Sequence, residues 1–185
     1  MDQGGFVVLD VETTSGDPTA GRVLEVAVVD GGGQHDAWCT LVRPRTEIPP
    51  FIARLTGIRQ HMLHDAPLFH EVAPTLIERC RDRILVAHNV RYDMTALGHE
   101  FARCGLVFEL PTLCTEKLAR HYFTGLQHYN LGSLCRFFGI PYAARHRALP
   151  DAVATHALLA RMADVHGLDR LLRHVVPARP AAMRA

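Results

Sequence analysis

The chain has 185 residues, enough for one well-buried domain and short for two. Hydrophobic residues make up 48% and charged residues 21%, as in ordinary globular proteins, and no apolar run approaches the length that crosses a membrane. The formal net charge of +1 excludes the strong positive field of a protein that simply coats nucleic acid.

Three short strands are predicted in the first third of the chain. Phe6 to Val11 is an apolar, β-branched run of the kind that forms a buried strand. Val23 to Val29 and Trp38 to Val42 have a similar composition, and turn residues separate the three runs. A helical stretch then opens at Pro49-Pro50 and carries Leu55-Thr56-Gly57-Ile58.

Helices and strands alternate in the remaining two thirds. A helix with one apolar face is followed by a strand from Ile84 to Ala87, and a last strand is expected over Leu110 to Thr115. The other predicted helices cover Arg91 to Arg103, Glu116 to Tyr122, Asn130 to Phe138 and Asp151 to His166. This order predicts an α/β fold in which helices flank a mixed β-sheet.

Residues 1–176 are assigned to this single domain, and residues 177–185, rich in Pro, Ala and Arg, are expected to form a mobile tail. The five cysteines contain no Cys-x-x-Cys pair, so buried reduced thiols are expected. Because the N-terminus also lacks the basic start of a signal peptide, we expect a cytoplasmic protein.

Acidic residues occur in three clusters, the first of which is Asp10-Val11-Glu12 at the end of the first strand. Residues i and i+2 of a strand point to the same face, so the two carboxylates should lie side by side. Strand ends are where α/β sheets usually carry their sites. By itself, however, such a pair is more often only solvated.

The second and third clusters each lead into a predicted helix. His88 to Asp93 follows the fourth strand, and His146 to Asp151 precedes the C-terminal helix. Each has a structural alternative, because Asn is a common helix cap and an acidic residue is favoured at the positive N-terminal end of a helix.

The three clusters together are harder to explain structurally. Two carboxylates about 4 Å apart repel by roughly 4 kcal/mol at an effective dielectric near 20. Divalent cations remove that repulsion, and sites made only of oxygen ligands select hard metals such as Mg²⁺ or Mn²⁺. Two such cations about 4 Å apart form the clamp that is used for in-line attack on phosphodiesters.

The combination Asp10-x-Glu12, Asp93 within His-Asn-x-x-Tyr-Asp, and His146-x-x-x-x-Asp151 resembles the three exonuclease motifs of the DnaQ-like superfamily, in its DEDDh branch. Within it, the sequence most resembles the proofreading epsilon subunit of bacterial DNA polymerase III and its stand-alone relatives. The resemblance implies a ribonuclease H-like fold. It also implies a 3′–5′ exonuclease that uses two divalent cations, Mg²⁺ or Mn²⁺, and releases nucleoside 5′-monophosphates.

The same resemblance implies a role for each residue of the three motifs. Asp10 would contact both cations, Glu12 and Asp151 the cation beside the attacking water, and Asp93 the other cation. His146 would be the general base that takes the proton of that water, for which the ordinary pKa of histidine, near 6.5, is well suited.

Binding of the substrate is expected nearby. By resemblance, the backbone at Thr13 and Thr14 would meet the terminal sugar, Leu55 to Ile58 would pack on the terminal base, and His88 and Asn89 would line the same pocket. The expected substrate is a single-stranded or frayed 3′ end of DNA, used in proofreading or repair.

Two positions depart from the family pattern. Tyr92 stands where the family often has Phe, and its hydroxyl needs a partner or solvent. Pro150 directly precedes Asp151 and stiffens the junction between the His146 loop and the next helix. Neither change removes a metal ligand.

Two alternative functions remain open from the sequence. One is a 3′–5′ exoribonuclease in RNA processing, because tolerance of a 2′-hydroxyl depends on the shape of the pocket. The other is a catalytically weak module that binds nucleic-acid ends or docks onto a polymerase. The complete set of four acidic residues and one histidine disfavours the second alternative.

Overall fold

The computed structural model describes residues 5–31, 37–142 and 146–178. In these ranges the strands are β1 (Phe6–Thr13), β2 (Val23–Asp30), β3 (Ala37–Leu41), β4 (Ile84–Ala87) and β5 (Thr112–Cys114). The α-helices are α1 (Pro50–Thr56), α2 (Phe69–Cys80), α3 (Val90–Arg103), α4 (Thr115–Tyr122), α5 (Leu131–Phe137), α6 (Ala148–His166) and α7 (Leu168–Leu172).

The strands form one mixed sheet in the order β3-β2-β1-β4-β5. β1 and β2, and β2 and β3, pair antiparallel, whereas β1 and β4, and β4 and β5, pair parallel. With helices on both faces, this is the predicted ribonuclease H-like arrangement. Because β1 and β4 are parallel neighbours, their carboxyl ends meet at one edge of the sheet, where the first two acidic clusters lie.

The alternation of side chains along β1 decides which residues face which layer of helices. Val7, Leu9 and Val11 pack in one hydrophobic core with residues of α2 and α3. Val8 packs on the opposite face, in the core that contains residues of α4, α5 and α6. Asp10 and Glu12 share the parity of Val8, so they lie on the face that α6 covers.

The predicted elements are present in the described ranges, but several ends differ. α6 begins at Ala148 rather than at Asp151, so Pro150 lies inside its first turn, where the missing N–H leaves no hydrogen bond unmade. β5 is half as long as expected, because it pairs with β4 over three residues only. α1 ends where Gly57 adopts a left-handed φ of 73°.

Near the C-terminal end of the described residues, Val176 forms an antiparallel bridge with Thr112 on β5, one of the two edge strands of the sheet, and the assignment of residues 1–176 to one domain stays a prediction. Residues 179–185 of the predicted tail lie outside the described residues, and the mobility of the tail remains a prediction. Within the described ranges, no helix combines the length and the apolar character that a membrane-crossing segment needs.

Candidate active site

The end of β1 presents the first two carboxylates. Asp10 and Glu12 are partly exposed, whereas the residues that alternate with them, Leu9, Val11 and Thr13, are buried. The register between β1 and β2 shifts between Glu12 and Thr13, so the regular ladder ends directly after the second carboxylate. The predicted side-by-side arrangement is therefore present in the fold.

Asp93 is held against the backbone of the same strand. β4 pairs with β1 only as far as Val8, so the N–H of Val11 has no strand partner on that side. The Oδ1 atom of Asp93, in the first turn of α3, accepts a hydrogen bond from this N–H at 3.2 Å. Asp93 is 2% exposed. Its carboxylate therefore lies buried between the main chain of β1 and the N-terminal end of α3, where a negative charge is favoured.

The remaining carboxylate comes from the first turn of α6. The hydroxyl of Tyr142 donates a hydrogen bond of 2.8 Å to Oδ1 of Asp151. Asp10, Glu12 and Asp151 each offer a carboxylate oxygen, and these three oxygens lie within 4.8 Å of one another. The fold therefore joins residues from the N-terminal strand and the C-terminal helix in one acidic cluster.

Burial and neighbouring negative charges raise the pKa of the two carboxyls on β1. Burial raises the pKa of Asp10 well above its ordinary value, and the negative charges of Asp93, Asp151 and Glu12 add to this effect. Burial and the negative charge of Asp151 raise the pKa of Glu12 to about 8, while the guanidinium of Arg147 opposes the rise.

The two carboxyls that come from helices are affected in the same direction. Burial raises the pKa of Asp93 to about 8, although its backbone hydrogen bonds oppose the rise. Burial also raises the pKa of Asp151, against the hydrogen bond from Tyr142 and the charge of His146. A cluster of carboxyls with raised pKa values is suited to a hard divalent cation, because the cation binds carboxylate oxygens and neutralises their negative charge. Asp10, Glu12 and Asp151 are the residues best placed to hold such an ion.

His146 lies on the rim of the same cleft. Its side chain is exposed, and its backbone has a left-handed φ of 59°, which is uncommon for a residue with a Cβ. The other residues that line this cleft are Asp10, Val11, Glu12, His88, Asn89, Tyr92, Asp93, Glu116, Arg120, Leu126, Gln127, His128, Tyr129, Asn130 and Asp151. Together with His146, all five residues predicted to be catalytic line the cleft.

His88 and Asn89, the two predicted binding residues in the cleft, differ in their freedom. Nε2 of His88 lies 3.0 Å from the carbonyl oxygen of Tyr129 and Nδ1 lies 2.9 Å from Oγ1 of Thr115. Burial lowers the pKa of His88 and so favours the neutral ring. Because a carbonyl oxygen can only accept, Nε2–H is the donor in the contact with Tyr129. His88 therefore stabilises the part of the cleft that Tyr129 lines. Asn89 is exposed and makes no capping hydrogen bond with its side chain.

Thr13 and Thr14 are buried beside the cleft and are not among the residues that line it. The hydroxyls of Thr13 and Tyr92 lie 2.5 Å apart, and the carbonyl of Ser15 accepts a hydrogen bond of 2.6 Å from each. Oγ1 of Thr14 accepts a hydrogen bond of 2.9 Å from the N–H of Arg22. Both threonine side chains thus already have partners within the protein.

The segment from Leu55 to Ile58 is also outside the residues that line the cleft. Thr56 and Ile58 are buried, and Ile58 belongs to a small core with Leu24. Leu55 and Gly57 are exposed, so these two residues form the surface of the segment. That the segment from Leu55 to Ile58 packs on a base stays a prediction, with Leu55 and Gly57 as its exposed residues.

Sequence reasoning missed Glu25, Arg147 and Tyr142, which contact the carboxylates or each other. Glu25 lies opposite Glu12 on β2 and is 2% exposed. A signal was available, because this glutamate interrupts the apolar run of a predicted buried strand, and a buried charge needs a partner. The cleft wall from Leu126 to Asn130 had no such signal.

Comparisons with known proteins agree with this geometry. A family model described as exonuclease matches residues 7–159 of the chain. The epsilon subunit of DNA polymerase III from Aquifex aeolicus is 37% identical over 164 residues, which cover 87% of this chain and 81% of that protein. The PolC-type DNA polymerase III of Caldanaerobacter subterraneus is 35% identical over 88% of this chain, which spans only 12% of that much longer polymerase.

A solved structure has the same overall fold. Exonuclease X, determined in complex with 5′ overhanging duplex DNA, superposes with a TM-score of 0.71 at 28% sequence identity. The match covers 88% of this chain and 93% of that one. The similarity therefore extends over most of both molecules.

Proposed function

This chain belongs to the exonuclease family, and from that premise we propose that it removes nucleotides one at a time from the 3′ end of DNA. The observation that carries the proposal is the convergence of Asp10, Glu12 and Asp151 within 4.8 Å, with Asp93 and His146 in the same cleft. A module that only binds nucleic acid has no use for four mutually repelling carboxylates.

The proposed reaction is hydrolysis of the terminal phosphodiester. Asp10, Glu12 and Asp151 would hold one divalent cation, and Asp93 with Asp10 a second. Mg²⁺ or Mn²⁺ bound there would acidify a water and neutralise charge on the phosphate. His146 takes the proton of the attacking water. A new oxygen–phosphorus bond forms, the bond to the 3′ oxygen of the preceding nucleotide breaks, and a nucleoside 5′-monophosphate leaves.

Contacts with the substrate follow from the surfaces that remain open. Leu55 and Gly57 are the exposed residues of their segment, and we assign them the contact with the terminal base. Asn89 is exposed in the cleft and does not cap α3 with its side chain, so its amide is placed to contact the sugar or the base. The side chains of Thr13 and Thr14 are engaged, so only their backbone is left for the role at the terminal sugar that the sequence suggested.

DNA is favoured over RNA by similarity. Exonuclease X, at 28% identity, was solved with a DNA duplex that carries a 5′ overhang, and the relative from Aquifex aeolicus is named as a DNA polymerase subunit. Extending these properties to this chain supports a proofreading or repair role on single-stranded or frayed 3′ ends. Processing of RNA is the second candidate, with the same cleft and the same chemistry.

The proposal is tested with matched single-stranded DNA and RNA oligonucleotides that carry a 5′ label. Reactions contain Mg²⁺, Mn²⁺ or EDTA, and Asp10→Ala is assayed beside the unaltered protein. We expect a ladder that shortens from the 3′ end, is faster on DNA, and disappears in EDTA and in the variant. Faster degradation of RNA would replace DNA by RNA as the substrate.

The binding-module alternative predicts a different result. Both nucleic acids would then be bound, as measured by fluorescence anisotropy, and neither would be shortened with any of the cations. Cleavage retained in EDTA or by a folded Asp10→Ala protein would remove the metal-dependent mechanism. Circular dichroism of the variant verifies that a loss of activity is not a loss of structure.

A further inference from the structure

The buried carboxylate of Glu25 forms an ion pair with the partly exposed guanidinium of Arg147, next to the acidic cluster. Nε of Arg147 lies 3.0 Å from Oε2 of Glu25, and Nη2 lies 2.6 Å from Oε1. The N–H of Ala148 donates a third hydrogen bond, of 2.8 Å, to Oε2. The side chain of Glu25 is 3% exposed, and its carboxylate receives two N–H groups of Arg147, the first amide of α6 and the thiol of Cys39 at 3.7 Å.

The position of this pair ties together three parts of the site. Glu25 lies directly opposite Glu12 in the antiparallel register of β1 and β2. Arg147 directly follows His146 and precedes Asp151 by one helical turn. Glu25 on β2 is therefore hydrogen-bonded to Arg147 and Ala148, which lie between His146 and Asp151 in the chain.

We propose that Arg147, held by Glu25, is a positioning residue that fixes the imidazole of His146 relative to the carboxylates of β1. This inference rests on the proposed role of His146 as the general base. The forked contact orients the guanidinium of Arg147 on Glu25, and the N–H of Ala148 attaches the adjoining main chain to the same carboxylate. Displacing a catalytic group by about 1 Å can lower the rate by about 100-fold, so fixing the position of His146 would matter for catalysis.

A structural ion pair elsewhere in the fold provides a matched control. Nε of Arg22 lies 2.6 Å from Oε1 of Glu100, and Nη2 lies 3.1 Å from Oε2. The N–H of Val23 also donates to Glu100, as Ala148 does to Glu25, and Glu100 is 2% exposed. The two glutamates are similarly buried and receive the same forked contact and main-chain N–H, although Nη1 of Arg103 also lies 3.7 Å from Glu100. No residue proposed to be catalytic adjoins Arg22 in the sequence.

The test compares Arg147→Gln, Arg147→Lys and Arg22→Gln in the complete chain, with Mn²⁺ and a 5′-labelled DNA oligonucleotide. Arg147→Gln should lower kcat by about 10- to 100-fold and change KM by less than about threefold. Its pH–rate profile should resemble that of His146→Ala. Arg147→Lys, which keeps the charge but loses the fork, should recover only part of the rate. Arg22→Gln should lower Tm but retain kcat and the pH–rate profile.

A double variant decides whether Arg147 acts through His146. If it does, adding Arg147→Gln to His146→Ala should lower kcat no further. An equal loss in both backgrounds, an unchanged kcat in Arg147→Gln, or an equal loss in Arg22→Gln would overturn the inference. Those results leave the proposed function in place, because only full activity of His146→Ala would remove the general base. Should Arg147→Gln not fold, the same comparison is made with Arg147→Lys, which keeps a cation beside Glu25.

Discussion

Tyr92 connects two parts of the site through a single hydroxyl. Its O–H contacts Oγ1 of Thr13 at 2.5 Å and the carbonyl of Ser15 at 2.6 Å, while the ring lines the catalytic cleft. The turn after β1 is thereby joined to the first turn of α3, which also carries Asp93. The hydroxyl thus holds in place the chain that follows Glu12.

We expect Tyr92→Phe to lower the free energy of unfolding by about 1 kcal/mol, because the hydroxyl is part-buried and well bonded. Activity should stay within about threefold, since the ring still packs and Thr13 can still donate to Ser15. Urea unfolding with the exonuclease assay measures both quantities.

Tyr122→Phe is the matched control for this substitution. It removes an exposed hydrogen bond of 2.8 Å to His174 and should cost less than about 0.5 kcal/mol. If Tyr92→Phe were as stable as the unaltered protein, the hydroxyl would have no structural role.

At the scale of elements, α6 brings the third motif to the sheet. Its first half carries small buried residues, Ala148, Ala152 and Ala154, which allow the helix to approach β1 and β2 closely. Larger residues such as Leu158 fill the space further along the helix. The alanines therefore determine how near Asp151 comes to Asp10.

A larger residue where α6 packs on the sheet should lower kcat by more than the loss of folded protein explains. Ala152 is fully buried, so Ala152→Val inserts extra methyl groups that cost about 1–3 kcal/mol and push Asp151 away from β1. We expect kcat to fall by about 10-fold or more, measured per folded molecule at a temperature well below Tm.

Leu158→Ala tests the opposite case. It leaves a cavity and should cost about 2–5 kcal/mol, more than Ala152→Val, yet retain kcat at low temperature. Equal kcat in the two variants would mean that the alanine spacing does not set the geometry of the cluster.

At the scale of the whole molecule, the carboxylate cluster works against folding in the absence of cations. The pKa of Glu12 rises from 4.5 to about 8 and that of Asp93 from 3.8 to about 8 on folding. Between these limits the folded chain binds more protons than the unfolded chain, so the free energy of unfolding decreases as pH rises. A divalent cation reverses this trend because it prefers the ionised carboxylates.

Without cations, Tm should therefore fall continuously from about pH 4.5 to pH 8. Over this range the free energy of unfolding should decrease by an amount on the order of a few kcal/mol. Millimolar Mn²⁺ should raise Tm more at pH 8 than at pH 5. Calorimetry in EDTA and in Mn²⁺ across this range measures both effects.

Asp93→Asn provides the comparison for this prediction. Asn keeps an acceptor for the N–H of Val11 but removes one charge, so its dependence on pH should be shallower. A Tm that rises with pH in EDTA, or no response to Mn²⁺ at pH 8, would contradict a preformed cation site.

The amino-acid sequence by itself determined the order of elements, the family and the candidate catalytic residues. The ribonuclease H-like fold and the membership of the exonuclease family were confirmed, whereas the roles of the individual residues and the cytoplasmic location remain predictions. These results were accessible because they depend on local patterns. Alternation in a strand puts Asp10 and Glu12 on one face, and motif spacing needs no distant partner.

Only the tertiary structure decided which residues support the site. Asp93 meets Val11 across 82 residues of sequence, and Arg147 meets Glu25 across 122, so no local pattern specifies either contact. The same holds for the burial of Thr13 and the wall around Tyr129, which the packing of α3, α4 and the sheet creates. Local sequence patterns identified the carboxylates, whereas long-range packing determined which residues hold them in place.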